Sequence, residues 1–127
     1  MTKYFLVLAG GGFGALARFL VATFVADYYT TAFPLGTFLI NISGSFLIGV
    51  LMMLFVHRTG MDPHWRLFLV TGLLGGYTTF SSFEWEALAL ARGSSALISL
   101  LYVIGSVLLG YGGVWLGAWL SERLWAH

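Results

Sequence analysis

The chain has 127 residues, of which 59% are hydrophobic and only 9% are charged. A soluble domain carries about 25% charged residues, so this composition excludes an ordinary water-exposed globular surface. The net charge of +1 offers no basic footprint for nucleic acid, and the lack of cysteine excludes a disulfide framework and a thiolate zinc site. The sequence therefore predicts a protein embedded in a lipid bilayer.

Four apolar segments are long enough to cross the hydrocarbon core, which takes roughly 20 residues of helix. They cover about 4–26, 35–56, 66–91 and 95–120. The first segment is longer than the apolar part of a signal peptide and contains Arg18, so we treat it as a retained helix. Because the spans use most of the chain, we predict one all-α domain, 1–127, of four transmembrane helices.

The basic residues are unevenly shared between the two ends of these spans. An even number of spans places both termini on one side, and that side carries Lys3, Arg58, Arg66 and Arg123. Arg92 lies on the other side. The positive-inside rule then favours termini in the cytoplasm.

Small residues repeat at helical spacing in three of the four segments. Such stripes let helix backbones approach closely in lipid, where no hydrophobic effect drives the helices together. The stripes, with the polar residues that share their faces, are Gly10, Gly14 and Arg18; Thr37, Asn41, Ser45 and Gly49; and Tyr102, Ser106, Gly110, Gly113 and Gly117. The polar members Thr37, Asn41, Tyr102 and Ser106 either bridge helices or line a wet path. The run GGGFGALAR is not a dinucleotide-binding motif, because that motif requires a preceding strand and a βαβ unit.

Two polar residues stand out within the apolar segments. Asn41 is the only asparagine, and its amide either joins helices or donates to an anion. Arg18 is the only cation well inside a span; it either acts on a passing ion, extends toward the interface or pairs with a glutamate.

The third segment contains the stretch LGGYTTFSSFEWE, residues 74–86. The run from Gly75 to Thr79 is poor helix material, because glycine costs a helix about 1 kcal/mol relative to alanine and threonine is also unfavourable. We therefore predict that the first half ends near Gly75. Ser81 and Glu84 form an S-x-x-E capping box that would open a second half. A broken span is tolerated only where its backbone is buried in protein or lines a cavity.

The two ends at this break have opposite polarity. Carbonyl groups near Gly75 suit a cation, and amide groups near Ser81 suit an anion. Phe80 and Phe83 share a helical face; they are either core residues or an anion path lined by positive ring edges. Glu86 has no local partner, and we expect it to find Arg18 or a hydroxyl group.

The sequence gives no indication of catalysis. The histidines lie in a loop and at the C-terminus, and no serine or threonine has a nearby base, so we predict that the chain is not an enzyme. A small multidrug exporter has a similar layout but would need a carboxylate midway along the first span, where this chain has Arg18. A non-transporting assembly protein would leave Asn41 and the phenylalanine pair unexplained.

Taken together, four stretches resemble the Fluc/CrcB family of small fluoride channels. They are GGGFGALAR, GTFLINISGSFLIG, TGLLGGYTTFSSFEWE and, more weakly, YVIGS at 102–106. The resemblance implies a fluoride-selective channel of the bacterial inner membrane that releases fluoride passively from the cytoplasm. It also implies an antiparallel, dual-topology homodimer with two pores and a central structural sodium ion.

The resemblance assigns roles to particular positions. The fluoride pore would involve Phe80, Phe83, Asn41, Ser81, Ser82, Tyr102 and Ser106. Arg18 and Glu86 would be electrostatic or structural residues, and the backbone carbonyls of Gly75 and Thr78 would hold sodium.

Overall fold

The computed structural model describes residues 1–58 and 60–125, and all regular secondary structure in these ranges is helical. The elements are α1 (Thr2–Tyr28), α2 (Leu35–His57), α3 (Pro63–Arg66), a π-helical segment (Leu67–Leu74), α4 (Gly75–Tyr77), α5 (Phe80–Gly93) and α6 (Ala96–Trp125). This confirms the predicted all-α membrane fold with a broken third helix.

Three helices in the described ranges are long and apolar enough to cross a membrane: α1, α2 and α6. The third span is built differently. Its first half runs without interruption from Pro63 through the π-helical segment to Tyr77, and its second half is α5. Each half is too short to cross alone, so the two halves share one crossing.

The break lies at Thr78 and Thr79, within the predicted stretch between Gly75 and Ser81 but after the glycine pair. Thr78 has ψ 157° and Thr79 has φ −147° and ψ 121°, so both are extended. Gly75 and Gly76 are helical. A Cβ on Gly76 would lie 3.0 Å from the Cα of Gly11, so the glycine serves close packing against α1. The intrinsic penalty for glycine is offset by that contact.

The π-helical segment was not predicted. In it the hydrogen bonds widen toward i→i+5, a rare pattern that often accompanies functional sites. The amide of Gly75 donates to the carbonyl of Val70, five residues back, and also to that of Gly72. The segment LFLVTGLL has no residue that distinguishes a π-helix from an α-helix, so composition could not indicate it.

The first half of the third span packs directly on α1, backbone to backbone. A Cβ on Gly10 would lie 3.0 Å from the Cα of Gly72, and one on Gly14 would lie 2.8 Å from the amide of Tyr77. We call this contact of Gly10 and Gly14 with Gly72, Leu73 and Tyr77 the glycine seam. It is the close approach that the first stripe predicts.

A second backbone contact joins α2 and α6. A Cβ on Gly49 would lie 3.0 Å from the amide of Ala118, and one on Gly117 would lie 3.0 Å from the amide of Val50. The stripes on these two helices therefore face each other. One backbone contact thus joins α1 to the first half of the third span, and the other joins α2 to α6.

Candidate ion pathway at the helix break

A groove of about 380 Å³ lies beside the break. It is lined by Asn41, Gly44, Ser45, Ile48, Val70, Leu74, Gly75, Thr78, Thr79, Phe80, Phe83, Ser106 and Val107. We call it the break groove. It gathers, from α2, both halves of the third span and α6, six of the residues that the sequence singled out as pore or sodium positions.

Asn41 holds the break through two hydrogen bonds to the backbone of Thr79. Its Nδ2 donates to the Thr79 carbonyl at 2.9 Å, and its Oδ1 accepts from the Thr79 amide at 2.8 Å. The amide side chain thus replaces the helical partners that Thr79 lacks. Because an asparagine amide has two N–H groups, one is not used in this pair. The side chain therefore joins helices and also has a donor to spare beside the groove.

The second half of the third span is capped by Thr79, two residues before the predicted capping residue. The Thr79 Oγ1 accepts from the amide of Ser82 at 3.3 Å, and the hydroxyl donates to the Ser82 Oγ at 3.0 Å. The predicted Ser81–Glu84 capping box is therefore wrong: Ser81 lies in the first turn, and Glu84 is exposed. Thr79 has no Glu or Gln three residues later, which is why the pattern missed it.

These bonds take helical donors away from two carbonyl groups. In a continuous helix the Thr79 amide would donate to Gly75, and the Ser82 amide would donate to Thr78. Here the Thr79 amide donates to Asn41, and the Ser82 amide donates to the Thr79 side chain. Both carbonyl groups belong to residues of the groove wall. Oxygen ligands of this kind fit a hard cation.

Phe80 and Phe83 are in contact, with ring centroids 5.8 Å apart, as their spacing predicts. Their environments differ sharply. Phe80 is 73% exposed on the outside of the chain, whereas Phe83 is only 5% exposed. Phe83 packs against Tyr102 at 5.2 Å between centroids. The core interpretation of the pair therefore applies to Phe83 alone, and Phe80 presents its ring outward.

Glu86 is held by hydroxyl groups from two other helices. The Thr37 hydroxyl donates to its Oε1 at 2.7 Å, and the Tyr102 hydroxyl donates to its Oε2 at 2.9 Å. Of the two partners expected from the sequence, hydroxyl groups are the one found. Of the two roles predicted for Thr37, bridging helices or lining a wet path, this bond is the first, since it joins α2 to α5. Glu86 also lines a smaller cavity of about 250 Å³ near the α5–α6 turn.

The remaining predicted pore residues occupy three different settings. Tyr102 is fully buried against Phe83 and Glu86 and is not part of the groove wall. Ser106 lines the groove, and its hydroxyl is buried without a partner among the described residues. Ser81 and Ser82 are exposed at the start of α5.

Arg18 is half-buried on α1, and no ion pair joins it to a carboxylate within 1–58 or 60–125.

The histidines do not form a metal centre with carboxylates in the ranges described. His64 donates its backbone amide to Asp62 at 2.9 Å, and its ring lies 2.6 Å from the same carboxyl oxygen. These hydrogen bonds, the amide first, lower the pKa of Asp62. His57 is exposed at the end of α2, and His127 lies outside the described residues.

Comparison with known proteins places this geometry in a family. The profile of the family described as CrcB-like protein, Camphor Resistance (CrcB) matches residues 5–118. A Fluoride-specific ion channel FluC from Solibacter usitatus is 51% identical over 95% of this chain and 99% of the relative. One from Acidobacterium capsulatum is 42% identical over 96% and 98%, and one from Rhodopseudomonas palustris is 45% identical over 95% and 98%.

These relatives carry the names of channels rather than enzymes, in line with the prediction that this chain is not an enzyme. Their bacterial sources and the long apolar helices agree with a multi-pass bacterial membrane protein. The match covers the glycine seam, the break and the whole groove. The chain belongs to the CrcB-like family.

Proposed function

We propose that this protein is a fluoride-selective channel through which fluoride leaves the cytoplasm passively. The observation that carries the proposal is the break groove: a polar backbone break, a phenylalanine pair and spare hydrogen-bond donors meet within a membrane span. The names of relatives that align end to end with this chain support fluoride as the ion. A single four-span unit, 1–127, would form the channel subunit.

The anion path follows the donors of the groove. Asn41 contributes its second N–H, and Ser106 contributes a hydroxyl group that has no other partner among the described residues. Small anions are strongly hydrated, so they need such donors when water is removed. Phe80 and Phe83 add positive ring edges, which attract an anion without binding it as tightly as a charge would. Ser81 and Ser82 would extend the donor set at the start of α5.

The same groove supports a homodimer. Phe80 is 73% exposed beside polar backbone at the break. Lipid cannot satisfy polar backbone groups, so a break of this kind must be covered by protein or water. A second copy, inserted antiparallel, would cover the groove and complete two pores. The terminal side carries four basic residues, and the opposite side carries one arginine. The positive-inside rule favours a single orientation for such an imbalance, so dual topology requires its own test.

A structural sodium ion fits the donor set at the centre of this dimer. The Gly75 and Thr78 carbonyl groups have lost their helical donors and belong to the groove wall. Two copies would supply four such oxygens. The ion would neutralise the partial negative charge of carbonyl groups that lipid leaves unsatisfied.

Fluoride efflux from proteoliposomes is the direct test. Vesicles are loaded with potassium fluoride, and valinomycin makes them permeable to potassium. Those that contain the purified protein should then release fluoride rapidly. Chloride-loaded vesicles serve as the matched control and should release far less. Failure of fluoride release, in vesicles where a known fluoride channel works, would refute the proposed function.

The dimer and the sodium ion have separate tests. Single cysteines placed near each terminus should react with impermeant maleimide from both sides of the membrane if insertion is dual. Labelling from one side only would contradict antiparallel insertion. Replacing sodium by N-methylglucamine should lower the melting temperature of the purified protein, and equal melting in both salts would refute the sodium site.

A further inference from the structure

The C-terminal end of α6 extends beyond the hydrocarbon core. Its 30 residues give a length of about 45 Å at 1.5 Å per residue, whereas the core is about 30 Å thick. The last few turns therefore lie at the level of the lipid headgroups. Trp119 and Trp125 are in this part, where amphipathic indole rings are favoured.

Two arginines lie against these indole rings at the same end of the bundle. The Arg58 guanidinium, just after α2, is 4.8 Å from the centre of the Trp125 ring. The Arg123 guanidinium is 5.3 Å from the centre of the ring of Trp119, which lies four residues, about one turn, before it on α6. Stacking of this kind holds the planar cation while its N–H edge stays available. Both arginines are exposed, and each guanidinium lies beside an indole ring of the kind that is favoured at the headgroups.

The neighbouring carboxylates do not neutralise these cations in the described structure. Asp62 is bonded to His64. Glu122 precedes Arg123 along α6, but no ion pair between them occurs among the residues described. Phosphate accepts paired hydrogen bonds from a guanidinium edge, and each basic residue at an anionic membrane surface contributes about 1 kcal/mol.

We propose that the terminal side of the bundle carries a binding surface for anionic phospholipids, with one phosphate position at Arg58 on Trp125 and a separate one at Arg123 on Trp119. The partner is a lipid phosphodiester with a net negative charge, such as phosphatidylglycerol. The surface is separate from the break groove, so it does not rest on the proposed transport function. If insertion is dual, each leaflet would meet one such surface per dimer.

The test uses the full chain in detergent with added lipid, measured by native mass spectrometry and by thermal melting. Phosphatidylglycerol should be retained about tenfold more than phosphatidylcholine and should raise the melting temperature. In Arg58→Gln/Arg123→Gln the preferential retention of phosphatidylglycerol and the rise in melting temperature should both disappear. The melting temperature with phosphatidylcholine should stay as in the wild type. Arg58→Lys/Arg123→Lys should keep part of the preference, because the positive charge remains but the planar guanidinium that stacks on the indole ring is lost.

Arg92→Gln is the matched control, since it removes one cation at the opposite side. It should leave the phosphatidylglycerol preference unchanged. Inorganic phosphate at the same concentration should not stabilise the wild type; stabilisation equal to that by the lipid would assign the surface to free phosphate instead. Undiminished lipid preference in the double glutamine variant, or equal loss in Arg92→Gln, overturns the proposal.

Discussion

The two halves of the third span are attached to the rest of the molecule by different kinds of contact. The first half meets α1 along the glycine seam, where backbone touches backbone and the contact depends on shape. The second half packs Phe83, Ala87 and Leu90 against Tyr102 in the buried apolar cluster. It is the half that side-chain hydrogen bonds also tie down: Asn41 to Thr79, Thr37 and Tyr102 to Glu86, and Ser99 to the Ala87 carbonyl at 2.6 Å. The break lies where one kind of attachment gives way to the other.

This difference indicates what each half can tolerate. A steric seam fails abruptly when one atom is added, because the backbones on both sides have little room to move. A hydrogen-bonded attachment fails in steps, one donor or acceptor at a time. The first half is therefore the rigid reference of the fold, and the second half is the part that single polar substitutions can adjust.

The glycine seam offers the largest effect. In Gly14→Ala the new Cβ would collide with the Leu73 carbonyl oxygen and approach the Tyr77 amide at 2.8 Å. We expect a loss of about 3 kcal/mol in unfolding free energy, seen as a much lower melting temperature or loss of the monodisperse species. Gly12→Ala, on the same helix with nothing within 4 Å of its Cβ, is the control and should melt at least as high as the wild type. Similar melting of both variants would show that the seam is loose.

The second largest effect is expected from the two hydrogen bonds between Asn41 and the Thr79 backbone, which we call the Asn41 clamp. Asn41→Leu removes the partners of both the Thr79 amide and the Thr79 carbonyl, each a buried backbone group at the break. We expect a loss of about 2–3 kcal/mol in unfolding free energy, together with a strong fall in fluoride efflux. Asn41→Asp keeps the acceptor for the amide but sets a carboxyl oxygen against the carbonyl. Its stability should fall between the wild type and Asn41→Leu; a leucine variant as stable as the wild type would speak against the clamp.

The comparison of the two halves also separates what could be predicted from sequence. The four spans, the broken third helix and the close glycine contacts could be predicted from local composition and from i, i+4 spacing. Both signals lie within a single helix and do not depend on how the helices are arranged. The partners of Glu86 could be predicted only as a class. Thr37 lies 49 positions away and Tyr102 lies 16 away, so choosing them requires the helix arrangement.

That the first half of the third span continues past Gly75 and Gly76 to Tyr77 could not be predicted, for a related reason. Gly75 and Gly76 are poor helix formers in isolation, but their lack of a side chain is what the seam requires, and packing outweighs propensity. Thr79 becomes the capping residue because Asn41, from another helix, binds its backbone. The π-helical segment has no signal in the residues at all. It depends on how both ends of the first half are fixed in three dimensions.

The Glu86 hydroxyl pair should give a smaller effect than the Asn41 clamp, because each substitution leaves the other donor in place. Tyr102→Phe removes the bond to Oε2, and Thr37→Val removes the bond to Oε1 with little change in shape. We expect a loss of about 1–3 kcal/mol for each, measured by thermal melting. Because both donors serve one carboxyl group, the double variant should depart from additivity. Tyr111→Phe, at an exposed tyrosine of α6, is the control.

The smallest effects separate two serines of α6 that look alike in sequence. The hydroxyl groups of Ser106 and Ser121 are both buried without a partner among the described residues, yet only Ser106 lines the break groove. Removing an unsatisfied hydroxyl relieves its desolvation cost, so Ser121→Ala should raise the unfolding free energy by up to about 1 kcal/mol and leave fluoride efflux unchanged. Ser106→Ala should be equally well folded but slower in efflux, because the proposed path loses a donor. Equal efflux in the two variants would remove Ser106 from that path, and slower efflux in Ser121→Ala would mean that transport depends on α6 outside the groove as well.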